Sequence, residues 1–169
     1  KKIEFIKNKT NIGYESTLKK GMIYIKKNYK KCNTVITFDA DGEHKVSDLK
    51  KLSNFQKKNN YDVIVCNRKK LNRFSEDILS KLFKKKYNVV DPISGFKLYK
   101  SNKLFLFCKK ISKNFFLVDL LVELIKNKSR VGNLEIICNK VSRKPRVGNW
   151  IFANFKILNI IKMIKNQNV

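Results

Sequence analysis

The sequence predicts an α/β fold in which a mainly parallel sheet is covered by helices on both faces. Mainly apolar segments at residues 34–38, 62–66 and 134–138 have the length and the β-branched content of buried strands. Segments with helical spacing of apolar residues separate them. Buried strands alternating with helices are typical of parallel sheets packed on both sides.

The first part of the chain predicts two strands and two helices. IEFI at residues 3–6 reads as a short strand, and a helix over 14–28 follows a turn-like Asn-Ile-Gly. TVITF at 34–38 is the next strand, and Ser47 can cap a helix over 48–58. The apolar residues at helical spacing are Leu18, Met22 and Ile25 in the first helix and Leu49, Leu52 and Phe55 in the second.

The second part continues the alternation. DVIVC at 62–66 is a continuous apolar strand, and helices are expected at 75–87 and 116–127. A strand at 134–138 and a closing helix over about 150–165 complete the pattern. No linker or internal repeat interrupts the 169 residues, so one domain spanning 1–169 is expected.

The chain is strongly basic, with a formal net charge of +26. Of its 39 basic residues, 34 are lysine and 5 are arginine, whereas phosphate-reading sites favour arginine. A lysine excess is typical of AT-rich coding and also of proteins that attract anions, and both interpretations stay open.

Cysteine usage and hydropathy bear on the cellular compartment. The four cysteines are far apart and form no CxxC pair, which favours buried free thiols in a reducing cytoplasm over a zinc site. No apolar stretch reaches the roughly 18 residues that a membrane-spanning helix needs. We expect a cytoplasmic protein at the cytoplasmic face of a membrane.

The stretch VITFDADGEH predicts a metal site. Asp39 and Asp41 directly follow a buried strand, and Gly42 lets the chain turn so that both carboxylates enter one small volume. Mg²⁺ or Mn²⁺ removes their mutual repulsion and bridges them to phosphates. Glu43 or His44 can complete or steady the ligand shell. The alternative is that Asp39 caps the next turn and Asp41 is solvated.

Several short motifs follow one another along the chain. They are Asn11-x-Gly13, Gly21, Asp39-Ala-Asp41-Gly-Glu43-His44, Asn67-Arg68 and Asp91-Pro-Ile-Ser94-Gly95-Phe96. In this order they resemble the family 2 glycosyltransferases, in particular the dolichol- or polyprenyl-phosphate mannose synthase branch. The resemblance implies a GT-A (Rossmann-like) fold. Relatives carry two further strands ahead of residues 3–6, with Asn-Glu and Asp-Asp-Gly-Ser type motifs, so an N-terminally truncated member is expected.

The resemblance also implies roles for single residues. Asp39, Asp41 and Glu43 match the metal ligands, although relatives often have glutamine at the third position. The residues matched to donor and phosphate binding are Asn11, Gly13, Asp39, Arg68, Ser94, Gly95, Arg143 and Arg146. Those matched to catalysis are Asp91, Asp119 and Arg146. Asn149-Trp150 stand where the family has Ser-Lys after the glycine of the late Arg–Gly loop.

The implied reaction is metal-dependent, inverting transfer of a sugar from GDP-mannose or a UDP-sugar to a polyprenyl or dolichyl phosphate or to a glycan. A phosphate acceptor is already ionised, whereas a hydroxyl acceptor needs a base, for which Asp119 is a candidate. Asp119 also fits a helix-surface aspartate. His44 is expected to support the metal loop rather than to catalyse.

The C-terminal helix has two interpretations. Ile157, Ile160, Ile161 and Ile164 mark one face and basic or amide residues the other. Such a helix can lie on an anionic membrane or pack on the domain, and packing is favoured.

Two other functions stay open. A basic nucleic-acid-binding module would explain the charge, but aromatic residues are not interleaved with arginine and no zinc, RNP or helix-turn-helix signature is present. Nucleic acid is therefore not expected as a partner. The third possibility is an inactive truncated transferase fragment.

Overall fold

The computed structural model describes residues 3–69, 71, 73–111, 116–139, 154–155 and 157–162. The elements in chain order are α1 (Tyr14–Asn28), β1 (Thr34–Thr37), α2 (Val46–Asn59), β2 (Val63–Arg68), α3 (Phe74–Tyr87), β3 (Lys97–Lys100), α4 (Ser101–Phe107), α5 (Phe116–Lys126) and β4 (Val131–Ile136). Residues 154–155 and 157–162 are also helical.

The strands form one mixed sheet in the order β1-β3-β2-β4. β2 and β4 pair in parallel, with Val63 opposite Val131. β3 runs antiparallel to both of its neighbours, and Lys97 lies opposite Thr37 of β1 and Val65 of β2. β1, β2 and β4 therefore point the same way, and the predicted α/β class is confirmed with one reversed strand.

Helices cover both faces of the sheet, as the sequence predicts. Val63, Val65 and Tyr99 point into the larger core, which includes residues of α1, α3, α4 and α5. Ile64 and Leu98, at alternate positions, point to the opposite face, where Leu52 of α2 packs. The two inner strands, β2 and β3, therefore bury both of their faces, because successive side chains of a strand point to opposite sides.

Two elements depart from the sequence-based boundaries. The strand expected at residues 3–6 is wrong: within the described residues these pair with no strand, and the side chains of Ile3 and Phe5 are 77% and 93% exposed. The last strand is Val131–Ile136 rather than 134–138, because its parallel register starts opposite Val63. Its extension leaves the sheet, where Ile137 is exposed.

Two adjacent elements were missed. β3 (Lys97–Lys100) is a four-residue strand with lysine at both ends, so its pattern is neither apolar nor alternating. α4 (Ser101–Phe107) follows it at once and is only seven residues long. Short elements carry too few periods for a pattern to be recognised. The helix expected at 48–58 begins at Val46, so Ser47 lies inside its first turn.

The C-terminal helical residues pack on the domain. Ile157, Ile160 and Ile161 are buried in the larger core. This agrees with the packing interpretation of that helix. Among the described residues, no helix combines the length and apolar character needed to cross a bilayer.

Candidate active site

The reversed strand brings the sequence motifs to one edge of the sheet. β1 ends just before Asp39 and Asp41, and β2 ends at Arg68. Because β3 runs the other way, the turn that precedes it, residues 91–96, arrives at this same edge. Ligands of α/β proteins bind at the carboxyl ends of their parallel strands, which is where these motifs meet.

The DADGEH turn is held by local and distant hydrogen bonds. The carboxylate of Asp41 accepts a hydrogen bond from the Glu43 amide at 3.0 Å. Gly42 has a φ of +86°, a conformation that favours glycine. The residue that anchors the turn is Asn139, beyond β4: its amide donates to the Glu43 carbonyl at 2.9 Å, and its side chain donates to the Gly42 carbonyl at 3.0 Å. Sequence reasoning missed Asn139.

Asp39 lies directly against the DPISGF turn. A Cβ atom added to Gly95 would stand 3.0 Å from Oδ2 of Asp39, and it would also collide with the Tyr14 hydroxyl. A side chain at position 95 would therefore displace the Asp39 carboxylate or the tyrosine. The absence of a side chain is what lets the backbone of this turn approach the carboxylate.

Arg68 and Asp91 form a buried, bidentate ion pair. Nε of Arg68 donates to Oδ2 of Asp91 at 2.8 Å, and Nη2 donates to Oδ1 at 3.1 Å. Glu76 lies 3.5 Å from Nη2 of Arg68 and also pairs with Arg73 at 2.8 Å. Burial opposes the charge on Arg68, but the hydrogen bonds and charge of Asp91 outweigh it and raise the arginine pKa.

This pairing bears on the expected roles of both residues. The Asp91 side chain is 1% exposed and that of Arg68 is 16% exposed, so the carboxylate faces the protein interior. The pair holds the start of the DPISGF turn to the end of β2. The Asp91 carboxylate thus faces Arg68 rather than solvent, and its expected catalytic role stays a prediction.

A lysine that sequence reasoning missed lies beneath this turn. Lys97 is fully buried, and its ammonium donates to the carbonyl oxygen of Ser94. Ser94 is itself buried, and its hydroxyl accepts a hydrogen bond from the Phe96 amide at 3.3 Å. The sequence context could have indicated its burial, because in SGFKLY the lysine stands between apolar residues at the start of a strand.

Asn11 and Gly13 form the turn that starts α1. The Asn11 side chain accepts a hydrogen bond from the Gly13 amide at 3.0 Å, and Gly13 has a φ of +80°. The Thr17 hydroxyl donates to the Gly13 carbonyl at 2.8 Å. These contacts give both residues a local structural role, and both lie exposed.

Asp119 lies near the start of α5, which a hydrogen bond ties to α1. The Glu15 carboxylate accepts a hydrogen bond from the Phe116 amide at 3.0 Å, which satisfies a free donor at the start of α5. Asp119 lies in that first turn and is half-buried. Glu15 follows Tyr14, which abuts Gly95, so the start of α5 and the candidate site share one side of the domain.

His44, the single histidine of the chain, packs among aromatic rings. Its ring centroid lies 5.0 Å from that of Phe96 and 5.7 Å from that of Phe38. Its Nδ1 atom is 3.9 Å from the sulfur of Cys138, whose pKa burial raises to about 11. These contacts fix the end of the DADGEH turn against the core. Arg143 and Arg146 lie outside the described residues.

The chemistry of the carboxylates fits a divalent cation only in part. Asp39 and Asp41 are half-buried oxygen donors of the kind that Mg²⁺ and Mn²⁺ use together with substrate phosphates. Within the part of the chain that the structure describes, no three acidic, histidine or cysteine side chains converge enough to hold a metal by themselves. A metal here needs further oxygen ligands from a substrate or water.

The fold and this edge define an α/β domain whose candidate site lies beyond the carboxyl ends of its strands. The family model described as Glycosyl transferase family 2 matches residues 1–107, which include the DADGEH and DPISGF turns. The chain belongs to glycosyl transferase family 2. Membership implies a glycosyltransferase, with a nucleotide-sugar donor and an acceptor. No curated protein gives a significant match. The mannose synthase branch stays a prediction.

Proposed function

We propose that the chain transfers a sugar from GDP-mannose or a UDP-sugar, with Mg²⁺ or Mn²⁺, to a polyprenyl or dolichyl phosphate or to a glycan. The observation that supports this most directly is the contact between Asp39 and Gly95, which joins the two family motifs at one edge. Asp39 and Asp41 are the proposed metal ligands, with Glu43 as a further candidate. The bound metal would supply charge neutralisation for the diphosphate leaving group.

Residues of the chain are proposed to bind the donor and to stabilise the leaving diphosphate. Arg68 is a proposed phosphate-binding residue at this edge, and its two hydrogen bonds to Asp91 fix the direction of its guanidinium. Gly95 lies against Asp39, and Ser94, the residue before it, is a proposed donor-binding residue of the same turn. Arg143 and Arg146 are proposed to add charge against the donor phosphates, as the family's late loop does. Such fixed charges stabilise a leaving diphosphate without reorganisation.

The acceptor decides whether a base is needed. With a lipid phosphate, the attacking oxygen is already ionised, and no residue has to remove a proton. With a sugar hydroxyl, Asp119 is the proposed base. The excess positive charge of the chain suits an anionic acceptor at an anionic membrane.

Thermal unfolding with Mn²⁺ and either GDP-mannose or UDP-glucose tests the proposal. We expect the donor and metal together to raise the unfolding temperature, and Asp41→Asn to abolish the rise. Asp77→Asn, which removes an exposed carboxylate of α3, is the control and should leave the rise intact. No rise with any nucleotide-sugar would overturn the proposal.

The net charge of +26 makes a nucleic-acid-binding module the competing function. It requires tight oligonucleotide binding that weakens steeply with salt and is unaffected by Asp41→Asn. A fluorescent single-stranded oligonucleotide titrated at two salt concentrations measures this. Binding of that kind, without any donor effect, would favour the competing function.

A further inference from the structure

We infer that Lys97 is a positioning residue of the proposed diphosphate site: its buried ammonium holds the Ser94–Gly95 turn against Asp39 and places a fixed positive charge beneath the edge. This inference rests on the proposed function, because it assigns a role within that same site. Lys97 is not one of the motif residues, and its role follows from its position in the sheet.

The geometry connects Lys97 to the metal-binding turn in three steps. Lys97 is anchored in the middle of the sheet, opposite Thr37 on one side and Val65 on the other. Its ammonium donates to the carbonyl oxygen of Ser94. The next residue, Gly95, packs on the Asp39 carboxylate. Any shift of the Ser94 carbonyl is therefore passed to the surface against which Asp39 rests.

The energetics of burial are difficult to explain by stability alone. A fully buried ammonium loses its hydration, and a well-packed apolar residue of similar length is often equally or more stable at such a position. Methionine has nearly the same length and no charge. The charge at this position thus lowers the stability of the fold. Attraction between the ammonium and a bound anion would compensate for that loss.

Titratable groups of the preceding turn, of α1 and of β2 act on Lys97. Burial has the largest effect and lowers the pKa of Lys97 to about 8, and Arg68 of β2 acts in the same direction. Asp91 of the preceding turn, Glu15 of α1 and Cys66 of β2 act in the opposite direction. Cys66 is a thiol whose pKa burial raises to about 12, so it does not titrate near neutral pH. At pH 7 the ammonium is charged.

The test uses Mg²⁺ with inorganic pyrophosphate, a probe that needs no contact to a nucleotide base or sugar. Isothermal titration calorimetry at pH 7 measures its affinity for the wild-type chain, for Lys97→Met and for Lys58→Met. Lys58 is an exposed lysine in the last turn of α2, at the opposite end of the sheet, and controls for the loss of one positive charge. We expect Lys97→Met to bind about tenfold more weakly and Lys58→Met to bind as the wild type does.

A purely structural lysine gives a different pattern. In that case Lys97→Met lowers the unfolding temperature without ligand, whereas our inference expects an unchanged or higher temperature together with the loss of affinity. Wild-type affinity in Lys97→Met overturns the inference and leaves the proposed function standing. If the wild type itself does not bind magnesium pyrophosphate, the proposed function and the inference fail together.

A second measurement covers the case in which Lys97→Met does not fold. The wild-type affinity for magnesium pyrophosphate is measured from pH 7 to pH 9. Rising pH only adds negative charge to the probe, so a falling affinity has to come from the protein. We expect the affinity to fall as Lys97 loses its proton, and a flat or rising profile overturns the inference.

Discussion

Asp62 and Lys100 form an ion pair at the end of the sheet opposite the DADGEH turn, with Oδ1 and Nζ 3.0 Å apart. The other carboxylate oxygen of Asp62 accepts a hydrogen bond from the Arg130 amide at 2.9 Å. One side chain thus joins the start of β2, the end of β3 and the start of β4. Burial opposes its charge, but the Arg130 amide and Lys100 outweigh burial and lower the pKa of Asp62.

Asp62→Asn should reduce the sensitivity of the fold to acid. A lowered folded-state pKa means that the stabilisation is complete above the unfolded value of about 3.9 and is lost as pH falls through the folded value. Urea unfolding midpoints between about pH 5 and pH 2 measure the loss. We expect a smaller decline in Asp62→Asn than in the wild type. Asp77→Asn, at an exposed position, should decline as the wild type does.

Asp91→Asn should strongly destabilise the protein. It leaves the buried Arg68 guanidinium without its bidentate carboxylate, with Glu76 at 3.5 Å. Removing one partner of a buried pair costs about 3–5 kcal/mol. Urea denaturation at pH 7 should show a loss of this size in the free energy of unfolding. A loss below about 1 kcal/mol, the range of surface pairs, would contradict the buried pairing.

Gly95→Ala should weaken metal binding, because the added Cβ would collide with Asp39 and Tyr14. Titration of magnesium pyrophosphate measures the effect, and Tyr14→Phe in the same chain should restore part of the affinity by removing the hydroxyl. Gly21→Ala is the matched control. Gly21 lies inside α1 with open space around it, so alanine there should stabilise the helix by about 1 kcal/mol and leave affinity unchanged.

The buried Lys97 predicts a specific pH dependence of stability. Its folded pKa is lowered from 10.5 to about 8, so the unfolded chain binds more protons between these values and the free energy of unfolding rises with pH. Three thiols with raised pKa, Cys66, Cys108 and Cys138, act in the opposite direction. Both the wild type and Lys97→Met contain these thiols. Their contribution to the pH dependence of the free energy of unfolding therefore cancels when the two proteins are compared.

The measurement is urea unfolding of both proteins at pH 8 and pH 9. We expect the change in the free energy of unfolding over this interval to be more positive in the wild type by about 1 kcal/mol. Equal changes in the two proteins would mean that Lys97 stays protonated throughout.

Much of the fold follows from local patterns. The helices at 14–28 and 75–87 and the strand at 62–66 have enough apolar periods to be recognised, and the structure places them within two residues of their predicted bounds. β3 could not be recognised, because lysine at both of its ends gives neither an apolar nor an alternating pattern, although the first of these lysines is fully buried. Its direction depends on pairing with residues far away in sequence, which no local pattern records.

The candidate site, like the fold, could be predicted from the sequence only in part. Motif order predicted that Asp39 and Gly95 belong to one site, and the structure brings them into contact. The order of the motifs could not reveal that Asp91 is buried against Arg68, or that Asn139 anchors the DADGEH turn, because both contacts depend on tertiary packing. Tyr14 and Glu15 were missed for the same reason: α1 carries them to this edge.

The strand order has a consequence for synthesis. Among the described residues, β1 is joined to the sheet only by β3, and Thr37 and its partner Lys97 are 60 residues apart in sequence. Closing so long a loop carries an entropic cost, and such distant pairings form slowly. On the ribosome, the acidic turn after β1 therefore emerges early and remains unanchored until β3 and Asn139 have left the exit tunnel. A nascent chain arrested before Lys97 would expose β1 as an unpaired edge, and there we expect chaperone binding to concentrate.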